Sequence, residues 1–353
     1  MKPYNLARPD IQAMKAYTPP LDGRRDYEGM LLDFNERSHS PTEEVHQALA
    51  SMENLHRYPE YERLSVRLAS YAKVEPEQVM ITNGSNQAID VIFRTFTEKG
   101  DQVIIPSPSF AMFRQAAQIV GNRIVEPLYV QTDAAFPLQE VLDAADKATR
   151  LVVICNPNNP TGTLLSLKDI KAIAEHAPRA VIMVDEAYFE FSNLTAVGLI
   201  AQYPNIIVTR TFSKAFGLAA LRLGYVIATK EHIQEMLKVR GPYAVNMAAH
   251  DAALVALENS GETRDYVQEV ITKAKPLVEG FFAEQNIPFY QSAANFILFR
   301  PPESQAVYEK LADKGILVRP QSGANIAGTL RLSIGTVEQM KQFVEAYRSI
   351  LNE

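Results

Sequence analysis

The stretch NIIVTRTFSKAFGLAALRLGYVIA, Asn205 to Ala228, decides how this chain folds. Two apolar runs of strand length flank a loop that carries Lys214, with Arg222 eight residues on (222 − 214). Short apolar runs bounded by turn residues read as buried strands. A lysine at the mouth of such a strand is either a surface loop residue or a chemical group, because an ammonium is costly to bury and reactive when buried.

The same rhythm extends upstream. QVMIT (Gln78–Thr82), DQVIIPSPS (Asp101–Ser109), RLVVICNPNNPTG (Arg150–Gly162) and AVIMVDEAY (Ala180–Tyr188) each contain a strand, with helical segments between them. NGSNQAIDVIFRTF (Asn83–Phe96) reads as a turn opening a helix, and Gly121 ends another, FAMFRQAAQIVG. Strands alternating with helices predict βαβ units and a mainly parallel buried sheet. Ligands of such sheets bind beyond the strand C-termini. The polar signals fall there: Gly84–Asn86, Ser107–Phe110, Asn156–Gly162, Asp185–Tyr188 and Thr211–Lys214.

After Thr263 the pattern changes. A long helical stretch to Gln285 contains Pro276, where a kink is expected. FILF, TLRLSIG and a helix over Ser304–Lys314 follow. The predicted fold class is α/β: a large domain whose mainly parallel sheet is flanked by helices, plus a smaller α+β domain. The expected divisions are an N-terminal arm, 1–40, packing on the small domain; a large cofactor-binding domain, 41–260; and a small C-terminal domain, 261–353.

Bulk properties narrow the function. A chain of 353 residues exceeds what one core usually serves. A net charge of −6, with both signs mixed throughout, argues against a nucleic-acid scaffold. The single cysteine, Cys155, suits a reducing compartment. With no signal-peptide pattern and no apolar run of roughly 18 residues, the expected location is cytoplasmic, with no membrane partner. No Gly-x-Gly pair, HExxH or GxSxG occurs, and no metal site is expected.

The remaining residues form a constellation. Asp185 closes a run of five apolar residues, AVIMV, so its carboxylate is desolvated and needs a partner. Pyridoxal 5′-phosphate offers one: its ring nitrogen acts as an electron sink only while protonated, and an aspartate keeps it so. Lys214 supplies an amine for covalent attachment. Gly84, Ser85 and Asn86 open a helix whose free N–H groups favour a phosphate. Thr211, Ser213 and Arg222 add hydroxyls and a bidentate cation. Tyr188 and Asn159 can hydrogen-bond the cofactor's phenolic oxygen, Asn159 held between Pro157 and Pro160, and Phe110 can stack on its ring. Taken singly, each has a plainer reading: a loop lysine, a strand-end ion pair, an N-cap, a core phenylalanine.

NPNNPTG, DEAYFEF, FSKAFGLAALRLGY and LRLSIG, in this order, resemble the fold-type I pyridoxal-phosphate aminotransferases over nearly the whole chain. MKAYTPP, LDFNE, HRYPE and GILVRPQ bring the resemblance nearest to the histidinol-phosphate aminotransferases, with histidinol phosphate and 2-oxoglutarate as implied substrates and histidine biosynthesis as the implied setting. The resemblance implies that Lys214 is the Schiff-base lysine, that Asp185 and Tyr188 share the catalytic work, and that Tyr58 reaches the phosphate in a neighbouring subunit of a homodimer. It further implies substrate contacts from Tyr17, Asn35, Arg319 and Arg331. RSHSP after Asn35-Glu36, Asn86 in place of an acidic residue and Phe110 in place of a tyrosine depart from the family pattern. An aromatic amino-acid aminotransferase, a threonine-phosphate decarboxylase and a non-catalytic binding module on the same fold stay open here.

Overall fold

The computed structural model describes residues 6–16, 24–323 and 325–353. Its strands in chain order are β1 (Met30–Leu31), β2 (Val79–Asn83), β3 (Gln102–Ile104), β4 (Arg123–Val125), β5 (Thr149–Cys155) and β6 (Val181–Asp185). They continue with β7 (Ile206–Thr211), β8 (Leu223–Ile227), β9 (Phe296–Phe299), β10 (Ile316–Leu317), β11 (Arg319–Pro320) and β12 (Leu330–Ser333). A seven-stranded sheet has the order β2-β8-β7-β6-β5-β3-β4. β7, β6, β5, β3 and β4 run parallel, whereas β8 is antiparallel to both of its neighbours. The sheet is mainly parallel, as expected.

Side-chain alternation along each strand sorts the core into two layers. Ile182 and Val184 of β6 face the helices Glu62–Ala72, Leu167–His176 and Met247–Glu258. Val181 and Met183 face Gly84–Phe96, Ala111–Val120 and Lys230–Val239. Both faces are covered, which is why the strands read as continuous apolar runs rather than alternating ones. Each fully buried large apolar side chain contributes roughly 1.5–3 kcal/mol of transfer free energy. Gly121 ends its helix in the left-handed region at φ 89°, as its position predicts.

A third apolar cluster packs the helices Lys275–Glu284, Ser304–Asp313 and Val337–Leu351 against the antiparallel sheet β11-β12-β9. It also takes in Tyr188 and Ala215 from the loops after β6 and β7, and Leu32. The long helix interrupts itself with a π turn, Val270–Ala274, just before Pro276. Pro276 has no N–H for the Thr272 carbonyl, and the widened turn makes room for its ring. The N-terminal segment touches more than was expected. β1 pairs in parallel with β10, but Arg8 donates to the Ile119 carbonyl on the helix Ala111–Val120 at 2.8 Å.

Candidate active site

Every chemically informative strand of the large sheet ends at one edge. Cys155, Asp185 and Thr211 close β5, β6 and β7, and the helix Gly84–Phe96 follows β2 directly. β8 runs the other way, so its first residue, Leu223, brings Arg222 to the same edge. There a cavity of about 200 Å³ is lined by Ser85, Asn86, Phe110, Cys155, Asn159, Asp185, Tyr188, Thr211, Ser213, Lys214 and Arg222.

Asp185 is 3% exposed. It accepts a hydrogen bond from Thr209 Oγ1 at 2.6 Å, and the Cys155 thiol lies 3.9 Å from its other oxygen. Burial pushes its carboxyl up to about 6, with the Thr209 hydrogen bond pulling the other way. Lys214 behaves in mirror image. Burial, then the nearby Arg331 guanidinium, lowers its amine to about 8, with Glu36 opposing. Its Nζ donates to the Phe34 carbonyl at 2.8 Å.

A phosphate-type cradle lines the same cavity. Gly84 has φ 68°, and a Cβ there would stand 2.6 Å from Arg222 Nη2. Gly224 on β8 has no room either: its Cβ would meet the backbone of Gly84 and Ser85 at 2.7 Å. Two glycines thus let the helix start, the arginine and the strand converge. Arg222 Nη1 donates to Ser213 Oγ at 3.3 Å, and the Thr211 hydroxyl donates to Ser213 Oγ at 3.0 Å. The N-cap residue of the helix Gly84–Phe96, Asn83, makes no side-chain cap hydrogen bond, and Ser85 and Asn86 of its first turn line the cavity.

A larger cavity of about 950 Å³ adjoins, sharing Asn86, Phe110, Asn159, Ser213, Lys214 and Arg222 and adding Phe34, Glu36, Arg114, Arg319 and Arg331. Arg319 and Arg331 are directly opposed across β11 and β12. Like charges in that position repel, so the pair calls for an anion or other acceptors. Arg331 donates to Asn159 Oδ1 and, at 2.6 Å, to the Asp33 carbonyl. Arg319 lies against the Phe34 ring, as does Arg24, which also pairs with Asp33 and Glu36.

Of the expected residues, the structure gathers Gly84, Ser85, Asn86, Phe110, Asn159, Asp185, Tyr188, Thr211, Ser213, Lys214, Arg222, Arg319 and Arg331 around these two cavities. Three stand apart. Tyr17 lies outside the described residues. Tyr58 is 76% exposed, stacks on Tyr243 at 4.2 Å and lines neither cavity. Asn35, expected against substrate, is 1% exposed and lines neither cavity. Its side chain bonds Tyr188 and Ser333 because the buried turn after β1 needs internal partners.

Sequence reading missed Cys155, Thr209, Gly224 and the Phe34 carbonyl. A signal existed for the first two. Cys155 and Thr209 are the lateral partners of Asp185 in adjacent parallel strands, so aligning the three strand ends places them beside it. A backbone carbonyl leaves no such mark.

Among the described residues no group of three or more His, Cys, Asp or Glu side chains is placed to hold a metal ion, and no helix is long and apolar enough to cross a membrane. The family model described as Aminotransferase class I and II matches residues 27–346. The chain is 35% identical over 359 aligned positions to a histidinol-phosphate aminotransferase of Caldanaerobacter subterraneus subsp. tengcongensis, covering 99% of each chain. It is similar in fold to the crystal structure of histidinol-phosphate aminotransferase from Sinorhizobium meliloti in complex with pyridoxal-5′-phosphate, with TM-score 0.89 and 24% identity over 99% of each chain. The L-threonine-O-3-phosphate decarboxylase of Porphyromonas gingivalis is also similar in fold, with TM-score 0.79 and 22% identity over 91% of this chain and 99% of that one. Because the family match spans β1 to β12 and with them every wall of both cavities, this chain belongs to the class I and II aminotransferases.

Proposed function

We propose that this chain is a pyridoxal-phosphate-dependent histidinol-phosphate aminotransferase, exchanging an amino group between histidinol phosphate and 2-oxoglutarate in histidine biosynthesis. One observation carries the reading. A buried carboxyl held up and a buried amine held down share a small cavity with a phosphate-type cradle, and that cavity opens onto a larger one bearing two opposed arginines. The relatives named above act as the second support.

The residues present fit the cofactor. The missing Cβ of Gly84 makes room for the Arg222 guanidinium, which an added Cβ would meet at 2.6 Å, so a bidentate cation lies directly beside the helix start. Among the described residues, the direct hydrogen-bond partners of the Asp185 carboxylate are the neutral donors Thr209 and Cys155, which suits a charge to be matched by a protonated ring nitrogen. Asn159 accepts from Arg331 through Oδ1, so its Nδ2 remains to donate to a phenolic oxygen, joined by the Tyr188 hydroxyl. Pyridoxal phosphate supplies a heterocycle that withdraws the electron pair left at a substrate Cα.

The chain's own residues do the rest. Lys214, a free neutral amine above about pH 8, takes the Cα proton and returns it on the other side of the exchange. Asp185 keeps its partner protonated. Arg222, Ser213 and Thr211 hold the phosphate. Arg331 takes a carboxylate in one half-reaction and, with Arg319, the phosphate end of the amine in the other. The low-dielectric walls strengthen each of these contacts.

Further parts belong to this reading. The chain divides near residue 260, supported by the change of core between Leu257 and Tyr266. It works as a homodimer in which Tyr58 completes the neighbour's site, supported by the exposed Leu55, Tyr58 and Tyr243. A cytoplasmic location suits the buried free thiol of Cys155.

The purified holoenzyme should be yellow, and borohydride should fix the label on Lys214. Single-turnover loss of the visible band should be fastest with histidinol phosphate among that amine, phenylalanine, tyrosine and threonine phosphate. Preference for phenylalanine would make it an aromatic aminotransferase. Carbon dioxide release from threonine phosphate would make it a decarboxylase, whose fold it shares. A colourless protein that takes up no cofactor would be a binding module.

A further inference from the structure

Residues 33–35 cross the site as a short stretch whose three carbonyls are all taken. The Asp33 carbonyl accepts from Arg331 at 2.6 Å, that of Phe34 from Lys214 Nζ at 2.8 Å, and that of Asn35 from Asn295 Nδ2 at 3.2 Å. Two of these donors, Arg331 and Lys214, are working residues of the proposed reaction. What aims the stretch is Asn35. It sits in the left-handed region at φ 54°, which Asn tolerates better than most residues with a Cβ. Its backbone N–H donates to Ser333 Oγ at 2.8 Å, and the Ser333 hydroxyl donates back to Asn35 Oδ1 at 3.0 Å. With Oδ1 engaged, Nδ2 is directed at Tyr188 Oη, 3.0 Å away. The residue is 1% exposed, so water does not substitute for these partners.

We propose that Asn35 is a positioning residue: it donates to Tyr188 Oη so that the tyrosine's own proton stays available to the cofactor, and its left-handed turn holds the Phe34 carbonyl against Lys214. The chemistry follows from the donor count. A phenol has one proton to give. If Asn35 supplies a proton to the Tyr188 oxygen, the tyrosine gives its own to the cofactor's phenolic oxygen and stabilises negative charge there. If residue 35 accepts instead, the tyrosine's proton turns away and that charge loses its donor. The cofactor then retains its own titratable proton to higher pH. Tyr188 is thus directed from the segment after β1, through a residue that touches neither cavity. The proposal rests on the aminotransferase reading.

The test is a pH titration of the holoenzyme's visible absorbance. Asn35→Asp keeps the size and tolerates the left-handed turn but can only accept at neutral pH. It should raise the titration midpoint by about one pH unit or more, a tenfold change in the proton equilibrium. Asn35→Gly keeps the turn and removes the donor, and should raise the midpoint by a smaller amount while leaving the fold intact. A residue that only props the backbone would leave the glycine variant titrating like wild type. Wild-type midpoints in both variants would overturn the proposal. So would a wild-type midpoint in the glycine variant alone, should the aspartate variant fail to fold. A wild-type protein that binds no cofactor would overturn the aminotransferase reading first, and this proposal with it.

Discussion

Burial holds the carboxyl of Asp185 up at about 6 and the amine of Lys214 down at about 8, each toward its neutral form. Without cofactor, the folded chain therefore carries groups it would be more stable without. For Asp185 the folded value lies above the ordinary 3.8, so between those pH values the folded state binds more protons than the unfolded one. Stability from this group falls as pH rises through that window, and the whole penalty is present at pH 7. It is on the order of 2–3 kcal/mol. Asp185→Asn keeps an acceptor for the Thr209 hydroxyl and removes the charge. The apoprotein variant should gain about 2 kcal/mol in urea unfolding at pH 7, and the gain should close as pH falls toward 4. The same variant should hold pyridoxal phosphate more weakly. An apoprotein no more stable than wild type at pH 7 would show that Asp185 is better solvated than its position implies. Both residues were legible in the sequence: Asp185 puts a carboxylate at the end of an apolar run, and Lys214 puts an amine in the loop between two such runs. The partner of Lys214, the Phe34 carbonyl, was not, because every residue carries a carbonyl and only the fold chooses which one points inward.

Elements converge on the cradle through backbone contact rather than side-chain contact. β8 passes the start of the helix Gly84–Phe96 so closely that a Cβ at Gly224 would lie 2.7 Å from the carbonyl carbon of Gly84 and 2.9 Å from the Arg210 oxygen. Its backbone is ordinary for a strand, so proximity alone excludes a side chain there. Gly224→Ala must push the helix start away from Arg222, an overpacking cost of about 1–3 kcal/mol. Cofactor affinity, followed by absorbance titration, should fall by roughly tenfold or more. Gly280 is the contrasting case. It sits inside the helix Lys275–Glu284 with nothing within 4 Å of an added Cβ. Gly280→Ala should stabilise by about 0.5–1 kcal/mol and leave cofactor affinity unchanged. Equal effects of the two substitutions would mean the approach of β8 to the cradle is not tight. At this scale the sheet was legible from its apolar runs and βαβ spacing. The antiparallel course of β8 was not, since a strand buried on both faces carries no mark of its direction. The π turn at Val270–Ala274 was hidden for a related reason: Pro276 signals a disturbed helix but not whether it bends or widens.

The molecule as a whole leaves one expected residue unexplained by its own packing. Tyr58 is 76% exposed and stacked on Tyr243, with Leu55 78% exposed close by in sequence, although its Pro59 neighbour and motif resemble those of a residue that binds phosphate. A contact proposed between two chains cannot be displayed by one, which is why neither sequence periodicity nor the packing of a single protomer makes the proposed role legible. Under the proposed reading, a site takes Lys214 from one subunit and Tyr58 from the other. That division has a consequence no monomeric site shares. Lys214→Ala alone should abolish turnover, and Tyr58→Ala alone should weaken cofactor binding and leave low activity. Co-refolding the two variants in equal amounts pairs them at random, so about half of the dimers are mixed. Each mixed dimer then contains one site with both native residues and one with neither. Activity at limiting cofactor should therefore rise to about a quarter of the wild-type value per site, well above the average of the two variants assayed apart. If Tyr58 serves its own chain instead, the mixed dimer holds no native site, and the mixture should show only the average of the separate activities.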